Sequence, residues 1–328
     1  MILRILKSNR AVNYILFPLL AVVVWIKSLI NPQIYSFYRG ETQNLLYQPI
    51  ARLFKEAALL QSIASLIILV VLAFIALQIN NRYSFIRVRT MLPAPLYIIM
   101  ISGLVGLHTL HPVYFAAFFV LLAIHRFFSA FDQVKPYSAV FDAGLLLGIA
   151  SLFYFNIAVL FPALFLGIPI LARETRWREF AIVTLGFLLP FIFAVSYAFV
   201  TDNLLEVLKI FELNTLTPNN HFKNNIPLQI YLGFLIIITL LGSIKIIQQY
   251  DSKKVSTRKF FTVFFLLFIT SLAGFTFVPA TSQEMLVITA IPVTFLVSNF
   301  FVFLKSRFWG ELLFSLLLII VITLQVLA

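Results

Sequence analysis

Residues 141–180 read FDAGLLLGIASLFYFNIAVLFPALFLGIPILARETRWREF. They cover most of two apolar segments, Ala139–Phe155 and Ile157–Leu171, which meet at Asn156. Apolar runs of this length are typical of helices in a lipid bilayer. A cluster of arginines after a span marks its cytoplasmic end, and this stretch closes with three, Arg173, Arg176 and Arg178. The stretch therefore predicts a pair of membrane helices whose connecting turn faces away from the cytoplasm.

The rest of the chain continues this pattern. Hydrophobic residues make up 62% of the 328 positions and charged residues 11%, and the mean hydropathy is +1.02. A soluble protein of this composition would expose a large apolar surface, and the runs are too long and continuous for a β-barrel. We predict an all-α, polytopic transmembrane bundle that forms a single domain, residues 1–328. About eleven spans are expected, at Ala11–Ile30, Ala58–Ile79, Ala94–Leu107, Val113–Phe128, Ala139–Phe155, Ile157–Leu171, Phe180–Val200, Leu228–Ile247, Phe260–Val278, Met285–Leu304 and Phe308–Leu327.

Positive charge sets the orientation of these spans. With the N-terminus in the cytoplasm, most of the 24 Lys and Arg residues fall in cytoplasmic segments. The net charge of +12 is therefore interpreted as an orientation signal, and no nucleic-acid partner is expected. The chain contains no cysteine, which excludes disulfides and thiolate chemistry. We expect a multipass protein of the bacterial inner membrane.

Two long polar stretches fall on the outer side. In each, apolar residues recur at helical spacing opposite polar ones, at Pro49–Ala57 and at Leu204–Leu213. Both are predicted to be short amphipathic helices that lie in the membrane interface.

The first outer stretch, Asn31–Glu56, holds the sharpest catalytic candidate, Glu41. A carboxylate there could accept a proton from an attacking hydroxyl or hold a divalent metal. The alternative is a solvated loop acid paired with Arg39 or Arg52. The candidate substrate-binding residues of this stretch are Tyr38, Arg39, Arg52 and Lys55.

Further candidates lie in other outer turns. His108 and His111 flank the turn after the third span, with a spacing that suits either a metal or a helix cap. Asn156 lies in the turn after the fifth span, and Glu284 lies just before the tenth. If a site exists, these residues should converge with Glu41 on one outer cavity, whereas a chain that only spans the membrane does not need its turns to meet.

Residues 141–180 resemble the fifth and sixth spans of GT-C superfamily glycosyltransferases, which use polyprenyl-phosphate sugars. Glu41, the amphipathic helices and the stretch FTFVPATSQEMLVITAIPVTFLV at residues 275–297 are similar to corresponding features of those enzymes. Where this chain has Asn156, Gln283 and Glu284, relatives often carry basic residues that would bind the lipid phosphate. Relatives also often have two acidic residues in the first outer loop, whereas this chain has Glu41 alone. The chain as a whole also resembles an uncharacterised bacterial multipass family of unknown function.

The resemblance implies a glycosyltransferase that acts on a polyprenyl-phosphate sugar at the periplasmic face. The departures leave a second hypothesis, a non-catalytic membrane subunit or scaffold of a cell-envelope assembly that binds membrane lipid and a protein partner. A transporter ranks third because intramembrane charges are scarce and no inverted repeat is visible.

Overall fold

A computed structural model describes residues 2–36, 40–216 and 226–327. The structure is 78% helical, and the residues that it describes contain no strand. The helices are α1 (Ile2–Lys7), α2 (Asn13–Val24), α3 (Ile26–Ile30), α4 (Gln48–Phe54), α5 (Ala58–Tyr83), α6 (Pro93–Ser102), α7 (Pro112–Phe128), α8 (Tyr137–Phe153), α9 (Phe161–Leu171), α10 (Trp177–Val200), α11 (Leu204–Leu216), α12 (Ile226–Gln248), α13 (Val255–Phe277), α14 (Met285–Phe303) and α15 (Arg307–Leu327).

Six of these helices are long and apolar enough to cross a membrane: α5, α10, α12, α13, α14 and α15. Each of the eleven predicted segments contains a helix, but α6 has ten residues. At 1.5 Å per residue it extends about 15 Å, half of a hydrocarbon core of about 30 Å. Six helices of the described chain are therefore candidate membrane spans, and the count of eleven stays a prediction. Both expected amphipathic helices are present, as α4 and α11.

The sides of the helices that point away from the core of the bundle are apolar. On α10, Phe193 is 68% exposed and Val200 is 80% exposed. Leu185 and Ile192 on the same helix are also exposed. An apolar surface of this kind is expected where lipid takes the place of water around a protein, so the structure is that of a membrane protein.

The centre of the bundle is formed by α14 and α6. Every residue of α6 is buried, as is nearly every residue of α14. They contact each other, and α14 also packs against α7, α12 and α13. To one side, α8 and α10 approach closely because Gly144, Gly148 and Gly186 face the partner backbone.

Polar contacts at the helix ends agree with the predicted sidedness. At the end predicted to be cytoplasmic, the backbone nitrogens of Leu3 and Arg4 each donate to the Glu311 carboxylate at 3.2 Å. At the other end, the Leu46 amide donates to the Leu152 carbonyl at 3.3 Å. These bonds join segments that the charge pattern assigns to the same face, and we call the second face the outer end.

Candidate functional site

Four outer segments bring polar side chains together at the outer end of the bundle. They are the loop before α4, the turn before α7, the turn after α8 and the loop before α14. The side chains they contribute form what we call the Glu41 cluster: Glu41, His111, Tyr154, Asn156 and Glu284. All five are buried. The convergence is notable because a carboxylate withdrawn from water is costly unless it is hydrogen-bonded or paired.

Glu41 lies against His111 in this cluster. The Glu41 Oε2 atom is 3.5 Å from His111 Nε2. His111 caps the start of α7, where its Nδ1 atom accepts a hydrogen bond from the Val113 amide at 3.1 Å. Because Nδ1 accepts, the nitrogen that can donate toward Glu41 is Nε2. Glu41 is therefore buried beside a proton donor, whereas a loop acid in water was the alternative expected from the sequence.

The loop that carries Glu41 is fixed by its own contacts. Asn44 Nδ2 donates to the Glu41 carbonyl at 2.8 Å. The hydroxyl of buried Tyr47 donates to the Leu110 carbonyl at 2.8 Å, directly beside His111. Burial raises the pKa of Tyr47, and the Glu41 carboxylate raises it further, so this phenol remains a hydrogen-bond donor.

The second carboxyl of the cluster is Glu284. Its Oε1 atom accepts hydrogen bonds from the Tyr154 hydroxyl and from the Ser282 amide, both at 2.9 Å. The Tyr154 hydroxyl in turn accepts from Asn156 Nδ2 at 3.2 Å, and the Tyr154 ring lies edge-on to His111 at 5.9 Å. Tyr154 therefore joins the two halves of the cluster.

Burial raises the pKa of Glu284, although nearby His111 and the bonds from Tyr154 and Ser282 oppose the increase. Three buried atoms next to it have no hydrogen-bond partner among the described residues: Glu284 Oε2, Asn156 Oδ1 and Ser282 Oγ. Buried polar atoms are nearly always satisfied by protein, water or ligand. The cluster can therefore accept further hydrogen bonds from a small polar group.

A family model described as "Family of unknown function (DUF6427)" matches residues 33–327. The chain belongs to the DUF6427 family. Among curated proteins and among solved structures, none matches it.

In this DUF6427 chain, the other predicted site residues lie elsewhere. Arg52 and Lys55 are exposed on and just after α4, and no hydrogen bond or ion pair joins them to the described part of the cluster. Tyr38 and Arg39 lie outside the described residues. His108 is buried beside Trp25, in a separate contact network. The structure thus brings together Glu41, His111, Asn156 and Glu284, and their role as a site stays a prediction.

In the described part of this DUF6427 chain, no three His, Asp or Glu side chains form a group that could hold a metal ion. Sequence reasoning missed Tyr154 and Tyr47. Tyr154 falls at the end of an apolar run, where tyrosine is ordinarily interpreted as an interface anchor. Its spacing of two residues from Asn156 was the signal that could have placed it near the turn.

Proposed function

We propose that the chain is a GT-C-like glycosyltransferase of the bacterial inner membrane, acting on a polyprenyl-phosphate sugar at the periplasmic face. The observation that carries the proposal is the burial of Glu41 against His111 at the outer end of the bundle. A buried carboxylate within reach of a second titratable group is the arrangement expected of a proton-transfer site. The resemblance of residues 141–180 to GT-C spans adds the substrate class.

In the proposed reaction, Glu41 takes the proton of an acceptor hydroxyl while that oxygen attacks the anomeric carbon of the sugar. The new carbon–oxygen bond replaces the one to the lipid phosphate, whose bridging oxygen keeps the electron pair. The Nε2–H group of His111 keeps the Glu41 carboxylate oriented. The proton on Glu41 then passes to water.

The leaving phosphate develops negative charge that needs a nearby cation. Arg52 and Lys55 are the described candidates, because they follow Glu41 in the same outer loop and are exposed at the outer end. Their exposure suits a lipid that approaches from the membrane. Tyr154 and Glu284 lie in the same cluster, where Asn156 beside them can bind an acceptor hydroxyl.

The test is transfer by the purified protein in lipid nanodiscs, with a labelled polyprenyl-phosphate sugar and periplasmic acceptors. General-base catalysis contributes about 10²- to 10⁴-fold, so Glu41→Gln should lower turnover by about 100-fold or more. Glu56→Gln is the matched control, since Glu56 is exposed just after α4 and its loss should leave turnover unchanged.

Equal turnover in Glu41→Gln and in the unaltered protein would remove Glu41 from the reaction. No transfer with any donor, together with recovery of a stoichiometric protein partner from native membranes, would favour the scaffold hypothesis instead.

A further inference from the structure

A small polar cavity lies beside His108, apart from the Glu41 cluster. It has a volume of about 80 Å³, several times the roughly 10–15 Å³ that one water needs by the same measure. Val105 and Lys27 also contribute to its wall. Its uncharged polar lining comes from α3, the following loop, the turn before α7 and the end of α15: Ser28, Asn31, Gln33, Tyr35, His108 and Gln325.

The wall behind this cavity is built from interlocked side chains. The His108 ring stacks on buried Trp25, with ring centres 3.9 Å apart. His108 Nδ1 lies 2.6 Å from the Ser28 hydroxyl, and His108 Nε2 lies 3.2 Å from the Ser102 carbonyl. The Trp25 Nε1–H group donates to the Ser102 hydroxyl at 2.8 Å. The network holds the imidazole in one orientation at the edge of the cavity.

Charge decides which ligand suits the cavity. Burial lowers the pKa of His108 to about 3, so the imidazole is neutral. Among the described residues, Lys27 is the one cation of the lining, and its Nζ atom donates to the Val326 carbonyl at 3.1 Å. A helix C-terminus carries about half a negative charge, and α15 ends beside this cavity where Lys27 donates to it. The lysine charge is thus partly offset, which makes the cavity less suited to a phosphate or carboxylate ligand.

The remaining groups favour hydroxyls. The carboxamides of Asn31, Gln33 and Gln325 each donate and accept hydrogen bonds, and so does the phenol of Tyr35. A sugar hydroxyl also donates and accepts. Gln325 further leaves its buried Oε1 atom without a hydrogen-bond partner in the described structure. Convergent polar groups of this kind are what fixes the orientation of a bound ligand and gives a site its specificity.

We propose that this cavity binds the hydroxyl groups of a carbohydrate. The class of ligand follows from the lining, and its identity as the acceptor of the transfer rests on the proposed function. His108 and His111 are three residues apart, so their Cα atoms are separated by at most about 11 Å. A sugar bound beside His108 is thereby within reach of Glu41 at a neighbouring residue or hydroxyl.

Trp25 supplies a reporter of binding that does not depend on any transfer. Trp177 and Trp309 are exposed, and Trp177→Phe with Trp309→Phe leaves Trp25 as the single tryptophan. This variant in nanodiscs is titrated with glucose, mannose, N-acetylglucosamine and inorganic phosphate. We expect a saturable change in Trp25 emission with at least one sugar and none with phosphate.

The matched pair for this titration is Gln33→Leu and Gln43→Leu. Both glutamines are exposed in the same loop, and only Gln33 lines the cavity. Loss of one neutral hydrogen bond should weaken sugar binding by about threefold to tenfold in Gln33→Leu, with no change in Gln43→Leu.

No response to any of the three sugars, a response to phosphate, or equal weakening by both substitutions would overturn the proposal. The two proposals can also fail separately. Sugar binding without any transfer would support this cavity as a carbohydrate site and contradict the proposed transferase activity. Transfer without a Trp25 response would support the transferase activity and contradict carbohydrate binding in this cavity.

Discussion

Glu284 is a fully buried carboxyl, and its pKa predicts how stability depends on pH. Because burial raises that pKa above its usual value of 4.5, the folded protein holds a proton that the unfolded chain releases. The contribution of Glu284 to the stability of the folded state is therefore fully present below pH 4.5 and is lost as the pH rises through the folded pKa. Glu284→Gln keeps an acceptor for Tyr154 and removes the titration. We expect the thermal unfolding midpoint to fall less steeply with pH in this variant.

The comparison for this prediction is Glu56→Gln, which changes an exposed glutamate at the same end of the bundle. Its unfolding midpoint should follow the pH dependence of the unaltered protein. Parallel curves for Glu284→Gln and the unaltered protein would show that Glu284 does not hold its proton in the folded state.

The same residues show how far sequence reasoning reaches at this scale. Glu41, His111, Asn156 and Glu284 could be named because polar residues in outer turns of an apolar chain are few. Their burial could not be foreseen, since a loop acid in water and a buried one have the same sequence neighbours. His108 belongs to a different network because Trp25, far from it in sequence, supplies the surface on which its ring stacks.

Because α8 and α10 pack closely at their glycines, adding a methyl group at one of these glycines should change the stability of the protein. A Cβ atom at Gly144 would lie 2.4 Å from the Val183 carbonyl oxygen, and this backbone atom cannot rotate away. Gly144→Ala should destabilise the protein by about 1–3 kcal/mol. At Gly233, in α12, an added Cβ atom would meet nothing within 4 Å, and Gly233→Ala should stabilise it by about 0.5–1 kcal/mol.

Chemical unfolding of the two variants in one detergent measures both effects. Equal destabilisation by the two alanines would indicate that helix packing between α8 and α10 is looser than the structure has it.

The positions of the helices could be predicted from the sequence, but which of them span the membrane could not. Hydropathy located a helix in each of the eleven segments. Hydropathy could not distinguish α6 from a membrane-spanning helix, because a short helix surrounded by protein is as apolar as a helix that faces lipid. Length distinguishes them: α6 ends at Ser102, before Gly103 and five residues short of the predicted Leu107.

The arrangement of the whole molecule predicts two faces with opposite accessibility. Since the chain contains no cysteine, single cysteines can be introduced without background. Gln43 and Ser252 are exposed at opposite ends of the bundle. In intact bacterial cells, a membrane-impermeant maleimide should label Gln43→Cys and should label Ser252→Cys only after the membrane is opened.

The reverse labelling pattern would invert the topology and put the Glu41 cluster at the cytoplasmic face. At this scale the predicted orientation depends on the charge pattern, because most basic residues fall in the segments assigned to one side. Which outer turns meet could not be predicted, since that depends on how the helices pack around α14 and α6.

The hydrogen bonds from Leu3 and Arg4 to Glu311 also constrain the order in which the helices can assemble during translation. Leu3 and Glu311 are 308 positions apart, so the ribosome completes nearly every helix before α1 meets this partner. Until α15 has entered the membrane, the basic first helix stays without that anchor. The contact between the two ends of the chain can therefore form only after α15 has been synthesised.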